Sequence, residues 1–329
     1  MDVLSIILFI AGLALLYFGG EFFVKGAAGL AFHFKLPEIL VGATVVSIGT
    51  TLPEVVVSCQ AAFKGSAGIA YGNAIGSVIC NTTLIAALVI VLRPEKDDKK
   101  TIKTPALFFF ASALIYSAVA WTRGRFDRWV GVLLLVIFAV YTISMVHYVL
   151  KRRKRTGKKE AEEVRKEIGN VPKEPWKIAV FIAAGIIAIF AGSQFTVDNG
   201  TLIAKALGVP DSVIGLTMVA LGTSLPELIT AIQSVKMGRG MIAIGNAIGA
   251  NLLNIVLVSG MAITISPFDV PEGRLIGGVY SSLIVEIPLM LAVMAVLCVP
   301  ALIKGRFSRW QGIVLLCIFV AFNIFQYLS

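Results

Sequence analysis

Apolar residues fall into about ten long runs, separated by short polar or charged loops. The runs lie at roughly 3–30, 38–63, 68–92, 104–122, 127–150, 176–204, 211–235, 241–265, 286–303 and 308–328. As a helix, a run of about 20 residues spans a hydrocarbon core of ~30 Å. The pattern therefore predicts an all-α integral membrane protein with ten transmembrane helices. Gly and Pro interrupt several runs, which membrane helices tolerate where neighbouring groups satisfy the freed backbone. The first run has no basic leader and no small-residue cleavage site, so it reads as a retained helix.

The runs repeat. A shift of 173 residues lays Pro37–Pro94 on Pro210–Pro267 without a gap, with 22 of 58 positions identical. Gly49-Thr50-Thr51-Leu52-Pro53-Glu54 meets Gly222-Thr223-Ser224-Leu225-Pro226-Glu227. Gly72-Asn73-Ala74-Ile75-Gly76 meets Gly245-Asn246-Ala247-Ile248-Gly249. Gly124-Arg125-Phe126-Asp127-Arg128-Trp129 meets Gly305-Arg306-Phe307-Ser308-Arg309-Trp310 at an offset of 181, so about eight residues are inserted before the ninth run. The chain is an internal duplication. Five runs per half is an odd number, so the second copy is expected to enter the membrane from the opposite side. That gives two inverted five-helix repeats, an architecture of secondary transporters. The expected units are 1–150, a basic linker at 151–175, and 176–329.

Composition agrees. Some 57% of residues are hydrophobic and 15% charged, against about 25% charged in soluble domains. The net charge of +10 suggests nucleic acid only until the basic residues are placed. With the N-terminus outside, the inner loops hold 22 Lys and Arg and the outer loops 6, as the positive-inside rule requires. Both termini are then outside, and the linker, which opens with Lys151-Arg152-Arg153-Lys154-Arg155, is cytoplasmic beside anionic headgroups. The expected partner is the lipid bilayer of the cell membrane, crossed many times, and no nucleic acid. Cys59, Cys80, Cys298 and Cys317 lie in apolar runs without metal spacing and read as packing residues.

Glu54 and Glu227 fall near mid-run, where an unpaired carboxylate costs at least ~2.5–3.5 kcal/mol. Each follows a Gly, two hydroxyl residues and a Pro, a sequence that breaks a helix. No Lys or Arg stands at that depth in the second, third, seventh or eighth run. Lys25 is the nearest candidate, and Glu21 one turn earlier is its expected partner. Two acids at equivalent positions without a counter-charge point to a cationic substrate. Ser77 and Asn81 share a helical face in the third run, and Asn254 is the equivalent of Asn81. Asn73, Asn246 and Asn251 can ligate a cation or bridge helices as polar glue. The oxygen-only inventory suits Ca²⁺ or another hard cation, with Na⁺ competing for the same atoms. Glu286 reads as an acid at a helix start, and His33 and His147 as interfacial. No nucleophile–base pair or phosphate loop is present near the glutamates, so no enzyme and no cofactor is expected. A channel would build its ligand ring from several subunits, whereas a duplicated site needs only one chain, so a functional monomer is expected.

The paired Gly-Thr-Ser/Thr-Leu-Pro-Glu and Gly-Asn-x-Ile-Gly motifs resemble those of the calcium/cation antiporter superfamily, most closely its prokaryotic sodium/calcium exchanger-type members. The resemblance covers essentially the whole chain. It implies ten helices around four central cation sites. The implied ligands are Thr50, Thr51, Glu54, Ser77 and Asn81 from the first repeat, with Thr223, Ser224, Glu227 and Asn254 from the second. Backbone carbonyls of Ser47 and Ala220 would join them, and the first and sixth helices would slide across the core to alternate access. The chain departs from well-known members in having Asn254 where they carry an acid and Ala250 where they carry a serine. The expected function is Ca²⁺/Na⁺ antiport, with Ca²⁺/H⁺ antiport as the alternative.

Overall fold

The structure is a computed structural model that describes residues 3–34, 38–94, 99–155, 172–207, 224–270, 275–276 and 278–328. Its helices are α1 (Val3–Phe34), α2 (Ile39–Thr50), α3 (Leu52–Phe63), α4 (Gly68–Leu92), α5 (Lys99–Arg123) and α6 (Arg128–Arg155). They continue with α7 (Pro175–Ala206), α8 (Leu225–Lys236), α9 (Gly240–Ile265), α10 (Ser282–Lys304) and α11 (Arg309–Leu328). Among the described residues, eight helices are long and apolar enough to cross a membrane, or nine if α2 and α3 count as one bent span. The protein is an all-α membrane protein. The run expected at 211–235 is described only from Ser224 onward, and the linker only outside 156–171. The helix of the fifth run continues past Leu150 to Arg155, so the first five linker residues belong to it.

Small residues set the closest helix contacts. α1 and α7 pack antiparallel: Gly12 lies against Gly192 and Thr196, Gly19 against Ala188 and Ile189, and Gly26 against Ile182. A β-carbon at Gly12 would stand 2.7 Å from the Thr196 hydroxyl, closer than van der Waals contact allows. α2 and α9 run parallel. Gly42 faces Ile242 and Asn246, Gly245 faces Ile39, and Gly249 faces Ala43 and Ser47. Without a hydrophobic drive between helices in lipid, such backbone approach is what holds them together. Two further contacts involve repeat-related residues. Gly131 packs on Gly260 and Thr264, while Gly312, offset by 181, packs on Ala87 and Val91, each offset by 173.

The largest cluster of buried side chains lies among α2, α4, α5, α6, α9, α10 and α11, and a second among α1, α2, α7 and α9. Two-residue strands β1 (Arg125–Phe126) and β2 (Phe268–Asp269) pair antiparallel and tie the α5–α6 turn to the end of α9. Phe126 is buried there, stacked on Tyr116 with ring centres 4.4 Å apart. Strands β3 (Leu275–Ile276) and β4 (Val279–Tyr280) form a hairpin before α10. That hairpin lies in the insertion expected from the change of offset.

Pro300, inside α10, has no N–H to give the carbonyl of Val296 one turn earlier. Gln311 of α11 supplies the donor: its Nε2 bonds Val296 O at 2.9 Å and Leu297 O at 3.0 Å, and its Oε1 accepts Ser308 N–H at 2.8 Å. Replacing Gln311 by Leu takes away the side-chain donor to Val296 O and the acceptor of the Ser308 N–H. We expect a loss of about 1–3 kcal/mol, read as a lower unfolding midpoint in detergent. Ile313→Ala, at an exposed position of the same helix, should stay within about 0.5 kcal/mol.

Candidate cation site

The second run is broken where the motif predicted. α2 and α3 meet at Thr51 with a 43° bend. Pro53, with no N–H, stands in the first turn of α3 and leaves the Gly49 carbonyl without its usual donor. Glu54 is in that first turn too, and Glu227 holds the matching place in α8 behind Pro226. The positive end of each short helix dipole therefore lies under a carboxylate. The carbonyls at the end of α2 point the opposite pole at the same region, an arrangement broken membrane helices use for ions.

Both carboxylates are sealed in the protein: Glu54 is 0% and Glu227 1% exposed. They lie near enough to act on one another's charge. Among the described residues none of their four oxygens has a hydrogen-bond partner, and neither glutamate is in an ion pair. Lys25 is not their counter-charge. It pairs with Glu21 on its own helix.

The other predicted side chains are buried too. Thr51 Oγ1, Ser224 Oγ and both amide atoms of Asn81 and of Asn254 lack partners among the described residues. Ser77 is buried one turn before Asn81 on α4. The Thr50 hydroxyl lies beside the Glu227 carboxyl and donates to Asn246 Oδ1 at 3.1 Å, joining the two repeats. Ser47 is buried, its carbonyl accepts Thr51 N–H at 3.0 Å, and its hydroxyl donates to Thr44 O at 3.0 Å. Thr223 and Ala220 lie outside the described residues.

The remaining asparagines serve as braces. Asn73 Nδ2 donates to Glu54 O at 3.1 Å and Ser58 Oγ at 2.9 Å, which fixes α3 to α4 beside the acid. Asn251 Nδ2 donates to Thr82 Oγ1 at 2.7 Å across α9 and α4.

Three widened π-helical turns surround the site, at Gly42–Val46, Asn81–Ala86 and Asn254–Val258. Each spreads the backbone by one residue, a feature that recurs at functional sites. Two of them begin at the equivalent residues Asn81 and Asn254. Side-chain donors also reach carbonyls in these turns: the Tyr141 hydroxyl bonds Ala43 O at 2.7 Å and the Ser259 hydroxyl bonds Asn254 O at 3.0 Å.

Of the four cysteines read as packing residues, Cys298 is buried, Cys59 and Cys80 are half-buried and Cys317 is exposed. Glu286, read as an acid at a helix start, closes the π-turn Ser282–Glu286 and stands at the N-terminal boundary of the α-helical stretch Ile287–Lys304.

Among the described residues no three His, Cys, Asp or Glu side chains converge as a metal cluster. A cation here would be held by two carboxylates completed with hydroxyl, amide and carbonyl oxygens. That is the donor set of a hard ion.

The repeat-related faces of α3 and α8 are covered unequally. α1 closes over α8: Gly20 meets Ile229, Gln233 Nε2 bonds Tyr17 O at 3.1 Å, and Lys236 Nζ stands 5.0 Å from the Tyr17 ring centre. The repeat-related face of α3 is uncovered. Leu52 and Val56 are each 41% exposed and Gln60 is exposed, whereas Leu225 and Ile229 pack against the α1 cluster and Gln233 is 4% exposed.

A polytopic helical membrane protein with two buried carboxylates among partnerless oxygens has the features of a membrane ion-transport protein. The chain belongs to the Sodium/calcium exchanger protein family, which matches residues 4–146 and 177–328. It is 34% identical to Uncharacterized membrane protein MJ0091 of Methanocaldococcus jannaschii over 97% of each chain. It is 29% identical to Sodium/calcium exchanger MaX1 of Methanosarcina acetivorans over 98% of this chain and 99% of that one. A solved structure of the sodium-calcium exchanger NCX_Mj, soaked with 2.5 mM Na⁺ and 10 mM Sr²⁺, superposes with a TM-score of 0.81 at 29% identity, over 98% of each chain.

If the partnerless oxygens hold a cation, adding one stabilises the purified protein. A divalent ion at about 100 times its dissociation constant adds about 2.7 kcal/mol. We expect Ca²⁺ or Sr²⁺ to raise the unfolding midpoint of the native protein and to leave that of Glu54→Gln or Glu227→Gln almost unmoved.

Proposed function

We propose that this protein is a secondary antiporter exchanging Ca²⁺ for Na⁺ at the Glu54–Glu227 site by alternating access. The observation that carries this reading is the pair of buried carboxylates without protein counter-charge among the described residues, one from each repeat. One Ca²⁺ neutralises the pair, and two Na⁺ do the same. The site is stable in the membrane when either load is bound and costly when empty, which favours obligatory exchange over leak. Thr50, Thr51, Ser77, Asn81, Thr223, Ser224, Asn254 and the carbonyls of Ser47 and Ala220 complete the coordination. No cofactor and no chemical step is needed.

The reading includes ten spans arranged as two inverted repeats, with the linker at 151–175 joining them. It is supported by the antiparallel packing of α1 on α7 and by the matched Gly131 and Gly312 contacts. With both termini outside, the uncovered face of α3 opens outward and the α1–α8 closure lies on the cytoplasmic side. Transport would move α1 and α7 together. Gln233 would release the Tyr17 carbonyl, and Gln60, its equivalent, would take the carbonyl of Phe190, which the 173-residue offset pairs with Tyr17. A single chain holds the whole site, so a monomer suffices.

⁴⁵Ca²⁺ uptake into proteoliposomes at clamped voltage tests the reading, with an outward Na⁺ gradient compared with an outward H⁺ gradient. Uptake driven by Na⁺ alone is the expected result. Uptake driven by protons alone would replace it with Ca²⁺/H⁺ antiport. Glu54→Gln and Glu227→Gln should each lower Na⁺-driven uptake to the level of empty liposomes while the proteins stay monodisperse.

A further inference from the structure

One hydrogen bond between the repeats has no possible mirror image. Asn251 Nδ2 on α9 donates to Thr82 Oγ1 on α4 at 2.7 Å and lies 3.1 Å from Met294 Sδ on α10. The Thr82 hydroxyl donates to Val78 O at 2.7 Å, which leaves its lone pairs to receive the amide. Asn251, Thr82 and Met294 are all fully buried, at 0% exposure. The 173-residue offset relates Asn251 to Val78 and Thr82 to Ile255, whose side chains are hydrocarbon and equally buried. The duplicated chain therefore carries this cross-link once.

Its place in the chain gives it leverage. Thr82 directly follows Asn81, and Asn251 precedes Asn254 by three residues, so the bond joins α4 to α9 beside the two partnerless amides. Those amides also open the π-turns Asn81–Ala86 and Asn254–Val258. A π-turn is a place where a helix bends, so regular backbone alone does not fix how far apart the amides stand. Neighbouring hydroxyls bond within their own helix: Thr83 to Ile79 O at 2.7 Å and Ser259 to Asn254 O at 3.0 Å. Of these bonds, only Asn251–Thr82 crosses from α4 to α9.

We propose that Asn251 and Thr82 are positioning residues that fix the width of the ion cage and so set its preference for Ca²⁺ over larger divalent cations such as Ba²⁺. The proposal rests on the reading of Asn81 and Asn254 as ion ligands. Ca²⁺ takes its oxygens at about 2.3–2.6 Å, and selectivity among hard cations follows the size and flexibility of the cavity. A larger ion needs the same oxygens farther apart. A cage cross-linked at a buried position resists that widening; a cage without the link yields and accepts both ions. Asn251 Oδ1 has no partner among the described residues, so direct ligation is the competing role, and variants of Thr82 separate the two.

Displacement of ⁴⁵Ca²⁺ from the full-length protein in detergent, by unlabelled Ca²⁺ and by Ba²⁺, tests it. The two curves give a Ca²⁺-to-Ba²⁺ affinity ratio within each protein, which a general loss of stability does not move. Thr82→Val keeps the shape and removes the hydroxyl. Asn251→Val puts at this place the residue that the first repeat uses. In both variants the ratio should fall about threefold to tenfold, the worth of one hydrogen bond. Thr82→Ser keeps the acceptor and should hold the native ratio. A native ratio near one, or a Thr82→Ser ratio that falls with that of Thr82→Val, would overturn the proposal. So would a ratio unchanged in Thr82→Val, even if Asn251→Val lowers it, since that is the mark of a direct ligand. Failure of the underlying site is separate: Glu54→Gln would then bind ⁴⁵Ca²⁺ as the native protein does, whatever the ratios.

Discussion

Two carboxylates without counter-charge in the middle of a membrane are the constraint on which the rest of this fold depends. Neither Glu54 nor Glu227 meets a cation among the described residues. What the protein offers them instead is dipoles. Each sits in the first turn of a short helix behind a proline, so the break that makes the chain costly in lipid also places a helix N-terminus under the charge. Breaking a span exposes backbone, and that is tolerable only inside protein. This explains why α2 is wrapped so closely by α9, through glycines at 42, 245 and 249.

Polar side chains away from the ion then divide into two kinds. Asn73, Asn246 and Asn251 have protein partners, and hold α3 to α4, α2 to α9 and α9 to α4. Asn81 and Asn254 have none among the described residues. The same residue type in the same pair of helices thus serves as a brace or stands without a protein partner, and the difference lies in what stands opposite. A brace that frees Glu54 by a fraction of an ångström would blur the site as surely as loss of a ligand.

Much of this was legible in the chain. Periodic apolar runs gave the helices, and the 173-residue offset paired the two motifs before any coordinates. Pro53 and Pro226 marked the breaks, and the acids beyond them the charge. Other features left no mark. No residue pattern announces the π-turns at Gly42, Asn81 and Asn254, because a π-turn is one extra residue in a helical run and leaves composition unchanged. The π-turn that closes at Glu286, just before the α-helical stretch Ile287–Lys304, was equally unmarked. Gln311 was invisible for a similar reason. Its partner, the carbonyl left by Pro300, is a backbone group on another helix.

Duplication by itself gives a symmetric site, and a symmetric site has no direction. Direction comes from the pairs that the duplication relates but the structure treats differently. Leu225, Ile229 and Gln233 are covered by α1, and Leu52, Val56 and Gln60 are not covered by α7 to any comparable extent. The residues are near-identical in chemistry, so neither arrangement is built into the sequence of one face. A lock made of one amide bond to a carbonyl, one cation–π contact and two apolar contacts is worth a few kcal/mol at most. A mirror arrangement using the equivalent residues has a similar value. In the proposed exchange, two states of nearly equal energy would be what a small bound charge biases. The glycines at 12, 19, 26, 185 and 192 face the other helix of the α1–α7 pair and let the two pack closely enough to act as one body in the proposed exchange.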